Sequence, residues 1–121
     1  MSEDDAAFTL AGSLGSIWSL ELLLILRNNP ERQWFVDELD RELRASAQVV
    51  EEALHALARL GLVVPTGAKA WLYGPSSPDL DAIAGTLARL YATKRISVIN
   101  AIHASAIDRM RTFASAFRIR G

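Results

Sequence analysis

Apolar residues follow a helical spacing in three parts of this chain, over residues 13–28, 47–60 and 79–117. Repeats of three and four positions place such residues on one face of a helix. Over residues 13–28 further leucines fill much of the remaining circumference, so this predicted helix needs cover on more than one side. The cover comes either from the rest of the domain or from a second subunit. The sequence Asn28-Asn29-Pro30 ends the helix.

A short amphipathic helix and a longer one are predicted to meet at a tight turn in the middle of the chain. Trp34–Val36 is a brief β-prone run, and Asp37–Arg44 follows as the short helix. Ser46 is placed to cap the longer helix, because its hydroxyl can accept a hydrogen bond from a free backbone N–H of the first turn. Gly61 closes that helix, since glycine adopts the left-handed conformation at little steric cost. The longer helix is thus predicted over Ser46–Leu60.

Two strand-like runs follow the second helix. Leu62–Val64 and Ala70–Tyr73 are rich in β-branched and aromatic residues, and Pro65–Ala68 supplies turn chemistry between them. They predict a β-hairpin over residues 62–74. Two helices that meet at a tight turn and precede a hairpin are the layout of a winged helix-turn-helix. The predicted fold is therefore mainly α with a small β-hairpin wing.

The C-terminal third predicts long helices. After the punctuated linker Gly74–Pro78, no proline occurs before residue 118, and the only glycine up to that point is Gly85. A break is expected near Ala104–Ala106, because one helix over this span would far exceed the ~11 residues of a typical globular helix. The first piece must still bury its apolar stripe, and a symmetric partner is the simplest cover. The residues assigned to dimerisation are Leu80, Ile83, Leu87, Leu90, Tyr91, Val98, Ile102, Phe113 and Phe117.

The pattern divides the chain into three parts: a flexible acidic N-terminus over 1–12, a winged helix-turn-helix over 13–75, and a C-terminal helical dimerisation region over 79–121. A chain of 121 residues that is 50% hydrophobic is expected to be one soluble domain with a core of its own. It has no cysteine, which excludes disulfides, thiolate metal sites and a cysteine nucleophile. No apolar run approaches the ~20 residues of a membrane span, and no secretory signal is evident. A cytoplasmic location without membrane association is expected.

Charge is distributed unevenly along the chain, although the net charge is only −1. Residues 1–45 hold nine acids against four arginines, a net −5. Residues 46–78 balance two acids against two cations, and residues 79–121 carry seven cations against three acids, a net +4. The chain is therefore acidic first and basic last, a polarity that favours no class of partner by itself.

Three stretches and one signature carry a family resemblance. They are Ile17–Leu24, Val36–Leu43, Ser46–Val63 and, at the end of the third, Leu57-x-x-Leu60-Gly61-Leu62-Val63. On these residues the chain resembles the winged helix-turn-helix transcriptional regulators of bacteria, of the MarR and ArsR kind. The resemblance implies a homodimer on double-stranded DNA. It also implies that the second helix is a recognition helix in the major groove and that the wing contacts the backbone or minor groove.

The resemblance implies site residues on the outward side of the recognition helix, at the turn before it and on the wing. Ser46 and Gln48 stand at the helix start, where base edges are usually reached, and glutamine can pair with adenine. The phosphate contacts would come from arginine and lysine side chains. The complete set of implied DNA-binding residues is Arg41, Arg44, Ser46, Ala47, Gln48, Glu52, His55, Arg59 and Lys69.

A second hypothesis is a winged-helix module that binds another protein and not DNA. Glu51 and Glu52 lie in the middle of the predicted recognition helix, where carboxylates repel phosphates, and Lys69 is the single cation of the wing. No elbow motif, converging acid pair or nucleophile signature is present, so an enzyme is not expected. No cofactor and no metal are expected either, because His103 has no second histidine or carboxylate cluster near it.

Three further features have more than one interpretation. His55 is either a groove contact or a solvated surface histidine, and the second is favoured. The tryptophans Trp18, Trp34 and Trp71 either line a ligand pocket or close a small core, and the core is favoured. The tail over residues 109–120 mixes arginines with Phe113 and Phe117. It is either a basic arm on nucleic acid, an amphipathic surface helix or a docking helix, and the docking helix is favoured.

Overall fold

The computed structural model describes residues 2–104. These form helices and a small three-stranded antiparallel sheet. Residues 95–104 are helical as well and are called α6 here. The other elements are α1 Glu3–Leu14, α2 Ile17–Asn28, β1 Trp34–Phe35, α3 Val36–Leu43, α4 Ala47–Arg59, β2 Val63–Gly67, β3 Ala70–Tyr73 and α5 Pro78–Thr93.

The sheet brings β1 beside the hairpin that follows α4. Its strand order is β1-β3-β2, with Trp34 opposite Trp71 and Val63 opposite Tyr73. Pro65 lies in β2, which is an edge strand, as expected for a residue that cannot donate to a ladder. The succession α2-β1-α3-α4-β2-β3 is compatible with a winged-helix-like fold.

The turn between α3 and α4 has the predicted cap at Ser46, whereas α3 runs over Val36–Leu43 and not over the predicted Asp37–Arg44. Arg44 ends α3 in the left-handed conformation, with φ of 53°, and its N–H donates to the carbonyl of Asp40 at 2.7 Å. Ser46 Oγ accepts the N–H of Val49 at 3.2 Å, which confirms the predicted cap.

Gly61 has φ of 82°, and a Cβ there would lie 2.7 Å from Ser76 Oγ. Glycine is therefore required at this position for its backbone conformation and for space.

The hairpin turn lies further along the chain than predicted. Pro65 and Gly67 both belong to β2, and a bulge lies between them. Gly67 pairs with Ala70, so Ala68 and Lys69 make the two-residue turn, with Lys69 at a φ of 60°. The prediction of Pro65–Ala68 as the turn is wrong, because β2 continues past the proline on its free edge.

The expectation of a flexible acidic segment over residues 1–12 is wrong for residues 3–12, which belong to α1. Ser2 Oγ caps this helix by accepting the N–H of Asp5 at 3.1 Å. Its first turn holds Glu3, Asp4 and Asp5, whose charges are favourable near a helix N-terminus. Gly15 ends α1 with φ of 80°, and α2 starts after a bend of 118°. The helix predicted over 13–28 therefore begins at Ile17.

The apolar stripe of α5 is covered by α1 within the same chain. α1 packs chiefly against α5. Tyr91 also donates its hydroxyl hydrogen to Glu21 Oε1 of α2 at 2.7 Å, and Arg95 lies over its ring at 4.4 Å. The interpretation of the stripe as an unpaired dimerisation surface is therefore corrected. Five of the residues assigned to dimerisation are buried in the core of a single chain: Leu87, Leu90, Tyr91, Val98 and Ile102.

The long C-terminal helix is interrupted earlier than predicted. α5 ends at Thr93, and Lys94 leaves the helical conformation with φ of −133° before α6 begins. Leu80 and Ile83 are partly buried against the core. The expected break lies at the end of the described residues, and Phe113, Phe117 and the tail over 109–120 lie outside them.

One apolar core joins α1, α2, α4, α5, α6 and the inner face of the sheet. Its largest fully buried side chains include Leu20, Leu23, Leu54, Leu87 and Ile102. α2 is surrounded, as its apolar circumference predicted, and its cover comes from this chain. Over residues 2–104, none of the helices has by itself both the length and the apolar composition of a membrane span.

Candidate nucleic-acid interface

α4 has one buried side and one exposed side. Val50, Leu54 and Leu57 are fully buried beneath it. Positions 48, 52, 55 and 59 repeat at steps of four, three and four and are exposed, so they form a continuous polar stripe along the helix. We call Gln48, Glu52, His55 and Arg59 the α4 stripe.

The structure places every predicted DNA-binding residue at the surface. Ser46 and Ala47 flank the α4 stripe at the helix N-terminus. The other predicted residues lie at the end of α3 and at the hairpin turn. All nine are exposed: Arg41, Arg44, Ser46, Ala47, Gln48, Glu52, His55, Arg59 and Lys69. A residue must be exposed to contact a groove of DNA, but exposure alone does not show such contact. The DNA-binding role of these residues therefore stays a prediction.

A hydrogen bond joins Gln48 and Glu52, the first two residues of the α4 stripe. Gln48 Nε2 donates to Glu52 Oε1 at 3.2 Å. A carboxylate has no hydrogen to donate, so the direction of this bond fixes which end of the glutamine amide faces Glu52. One N–H of Gln48 is thereby occupied, while its carbonyl oxygen and the second oxygen of Glu52 remain as acceptors.

A groove separates α4 from the wing. His55 contacts Trp71 of β3 edge to face, with ring centroids 5.2 Å apart. The groove has a volume of about 430 Å³, and its polar lining includes Glu51, His55 and Lys69. Glu51 is half-buried and therefore belongs to the groove wall rather than to the α4 stripe. His55 is exposed, with its ring packed against the wing.

Lys69 is held at the hairpin turn by the backbone. Its carbonyl accepts the N–H of Val36, the first residue of α3, at 3.1 Å. This bond ties the hairpin turn to the start of α3, beside the α4 groove. The side chain of Lys69 lines that groove, so the wing's one cation and the α4 stripe border the same surface.

Arg32, which precedes β1, has a different role from the arginines at the end of α3. Arg32 lies 3.6 Å from the centroid of the Trp34 ring and donates to Glu38 Oε2 at 2.8 Å. Glu38 Oε1 also accepts the N–H of Phe35 at 3.0 Å. The Phe35 hydrogen bond and, after it, Arg32 lower the pKa of Glu38 from its ordinary value. Arg32 is thus committed to an internal contact, while Arg41 and Arg44 extend from the end of α3.

A second groove, which the sequence did not predict, lies on the opposite side of the α4 stripe. It lies between the α1–α2 junction and α4, has a volume of about 440 Å³, and includes Ser16, Trp18, Glu52 and Arg59 in its lining. Trp18 is 38% exposed there. Only a prediction of α1 would have revealed this junction, and α1 was not predicted.

The tryptophans are divided between core and surface. Trp34 and Trp71 are buried in the core, as the favoured interpretation has it, and Trp71 also lines the groove between α4 and the hairpin. Trp18 borders the second groove. Over residues 2–104, no cluster of three or more His, Asp or Glu side chains could hold a metal ion.

The candidate interface has no excess of positive charge. Residues 36–73 contain six acids and four cations, a net −2. The cations are distributed around the stripe, at the end of α3, the end of α4 and the hairpin turn. The arrangement therefore places a few cations around a helix that is itself weakly acidic.

Comparison of the chain with protein-family models, with curated proteins and with solved structures finds no match.

Proposed function

We propose that this protein is a DNA-binding transcriptional regulator that inserts α4 into the major groove and uses the β2–β3 hairpin as a wing. The observation that carries the proposal is the α4 stripe, an exposed polar face on a helix whose other face anchors it in the core. A helix of 13 residues is roughly 20 Å long, and the major groove is about 12 Å wide and admits one α-helix.

The surrounding cations support this docking. Arg41 and Arg44 lie at the turn before α4, and Lys69 lies at the hairpin turn beside it. With Arg59 they give about four phosphate contacts per chain. A protein that neutralises four phosphates shows a slope of about −3.6 in log K against log salt concentration. Affinity should therefore be modest and strongly dependent on salt.

Fluorescence anisotropy with genomic duplex fragments, at low and at moderate salt, tests the proposal. Arg44→Ala and Lys69→Ala should each weaken binding and flatten the salt slope by about one unit. Arg89→Ala, an exposed arginine on α5, is the matched control and should change neither. No anisotropy change at micromolar protein in low salt would reject DNA binding.

A homodimer is part of the proposal, although the buried stripe of α5 no longer argues for it. Two copies would double the phosphate contacts and steepen the salt slope to about −7. Their recognition helices should then lie ~34 Å apart, one duplex turn. The mass of the protein–DNA complex, measured by light scattering, distinguishes one bound copy from two.

The second candidate is a protein-binding module, favoured by Glu51, Glu52 and the net −2 of residues 36–73. The two candidates predict opposite effects of Glu52→Lys. Replacing this carboxylate with a cation should strengthen DNA binding, because a repulsion with phosphate becomes an attraction. It should abolish capture of a protein partner that recognises the acidic surface, while Glu42→Lys on α3 leaves that capture intact.

A further inference from the structure

Glu52 is exposed on the face of α4 that would enter the major groove of DNA, and no cation among residues 2–104 neutralises its carboxylate. Of the carboxylates in the described chain, Glu38 is paired with Arg32 and Asp81 lies 4.0 Å from Arg27. Glu52 has no such cation among residues 2–104, and its one hydrogen bond is the one from Gln48. On DNA, a negative charge at this position weakens attraction to every phosphate, so a favourable contact requires a base that donates a hydrogen bond.

The base edges of the major groove differ in what they offer a carboxylate. Guanine presents two acceptors, N7 and O6, and thymine presents the acceptor O4 beside a methyl group. Adenine presents its N6 amino donor next to the acceptor N7. Cytosine presents the N4 amino donor without an acceptor on its own edge. A carboxylate therefore finds its most favourable partner in cytosine and is repelled by guanine and thymine.

Gln48 steadies the carboxylate for this contact. Its amide donates to Glu52 Oε1, which leaves Oε2 free to accept from a base. Glu52 lies near the middle of α4, one helical turn after Gln48 and on the same exposed side. Ordering the side chain before binding lowers the entropy lost when the contact forms.

We propose that Glu52, positioned by Gln48, selects cytosine in the bound DNA by accepting a hydrogen bond from the N4 amino group in the major groove. This inference rests on the proposed function and names the sequence feature that the interface recognises. The carboxylate lowers affinity for DNA in general and is compensated only where cytosine occupies the contacted position.

Selection of bound duplexes from a random library, using the full chain, tests this proposal. The enriched motif should contain a cytosine whose replacement by thymine weakens binding about 5- to 20-fold. A duplex with 2-pyrimidinone at that position, which lacks the amino group, should be weakened similarly. Replacing the opposite guanine by inosine changes only the minor groove and should have little effect.

Variants separate the role of Glu52 from a general charge effect. Glu52→Gln should reduce the cytosine-over-thymine ratio to less than about threefold while raising affinity for unrelated duplexes. Glu42→Gln removes one exposed negative charge from α3 and should leave the ratio unchanged. Gln48→Ala should lower the ratio without lowering the thermal midpoint, as expected for a positioning residue.

The outcomes are distinguishable. Binding by the wild-type chain without a cytosine preference, or a preference that Glu52→Gln retains, overturns the role of Glu52 and leaves DNA binding intact. Absence of any binding by the wild-type chain in low salt overturns the proposed function, and this inference with it. A cytosine preference that is lost in Glu52→Gln and kept in Glu42→Gln supports both.

Discussion

Two regions of the molecule bury their apolar surface in different ways. One is the helix pair α1 and α5, and the other is the unit formed by α3, α4 and the sheet. The buried positions of α1 and α5 include the small residues Ala7, Ala11, Gly12 and Ala84, together with larger ones such as Leu14, Leu87 and Leu90. Small side chains allow two helix axes to approach closely. α4 buries larger branched ones, Val50, Leu54 and Leu57, and its turns are fixed by Ser46 and Gly61. The α1–α5 region thus contains small residues that permit close helix contact, whereas α4 is anchored mainly by larger side chains.

The difference also separates a closed surface from an open one. α5 turns its stripe toward α1, and Val98 and Ile102 of α6 continue into the same core, while Ile96 of α6 stays 72% exposed. The far side of α4 has no cover within residues 2–104, and its exposed residues are polar. The α1–α5 side supports the fold, and the α4 side is available to a partner.

The strongest test of the comparison removes a core side chain of α4. Leu54→Ala should lower the free energy of unfolding by about 3 kcal/mol, because Leu54 is fully buried and truncation leaves a cavity. Urea denaturation measures the loss. Gln48→Ala on the opposite side of the same helix is the control, with a change of less than about 0.5 kcal/mol. Equal effects at the two positions would contradict the assignment of the faces.

Overpacking the α1–α5 contact should have the next largest effect. Ala11→Leu inserts three carbons where no space is exposed, and should destabilise the protein by about 2 kcal/mol. Thermal unfolding followed by circular dichroism reports the change. Thr9→Leu, at an exposed position of α1, should stay within about 0.5 kcal/mol of wild type. If Ala11→Leu is neutral, α1 does not pack on α5 in solution.

The caps allow a smaller, matched comparison between the two regions. Ser46→Ala should cost about 1 kcal/mol, since it leaves the N–H of Val49 without its hydroxyl acceptor. Ser2→Ala removes the equivalent bond to Asp5 at the start of α1 and should cost less, because residues 2–5 are all exposed and this first turn has little packing to support it. Chemical denaturation of both variants gives the difference. A larger cost at Ser2 would reverse this ranking.

The smallest expected effect concerns the contact between the sheet and α5, and it depends on pH. Tyr73 donates its hydroxyl hydrogen to Asp81 Oδ1 at 2.5 Å, and Tyr73→Phe should cost about 0.5–1 kcal/mol at neutral pH. Burial, followed by the bond to Asp81, raises the pKa of Tyr73 above its ordinary value. The unfolded chain therefore loses this proton first as pH rises above about 10, which favours unfolding.

The wild-type advantage over Tyr73→Phe should accordingly be complete below pH 10 and decline above it. Urea denaturation at pH 7, 9 and 10.5 measures this trend. Tyr91, whose pKa is also raised by burial and by its bond to Glu21, titrates in both proteins and cancels from the comparison. An advantage that stays constant up to pH 10.5 would contradict the buried hydroxyl contact.

The central region was predictable because its signals are local. The cap at Ser46 and the turn at Gly61 act within a few residues, and the repeat of Val50, Leu54 and Leu57 marks one helix face. These features fixed α4 to within one residue and identified its exposed side. The groove between His55 and Trp71 was not predicted, because it depends on how the hairpin packs against α4.

The flanking helices were harder to predict because their pairing is non-local. The buried positions of α1 are largely alanine and glycine, which give a weak hydrophobic signal, and its acidic first turn resembles a solvated tail. Without α1, the stripe on α5 had no cover within the chain, and a symmetric partner was inferred in its place. The hairpin turn was misplaced because Pro65 tolerates an edge strand.

The central claim is that the exposed side of α4 is the surface that contacts DNA. NMR chemical-shift mapping of the full chain with a selected duplex tests it most directly. The largest amide shifts should fall within residues 44–59 and at Lys69, with little change in α1 and α5. Shifts concentrated on α1 and α5, with the α4 stripe unaffected, would contradict the account.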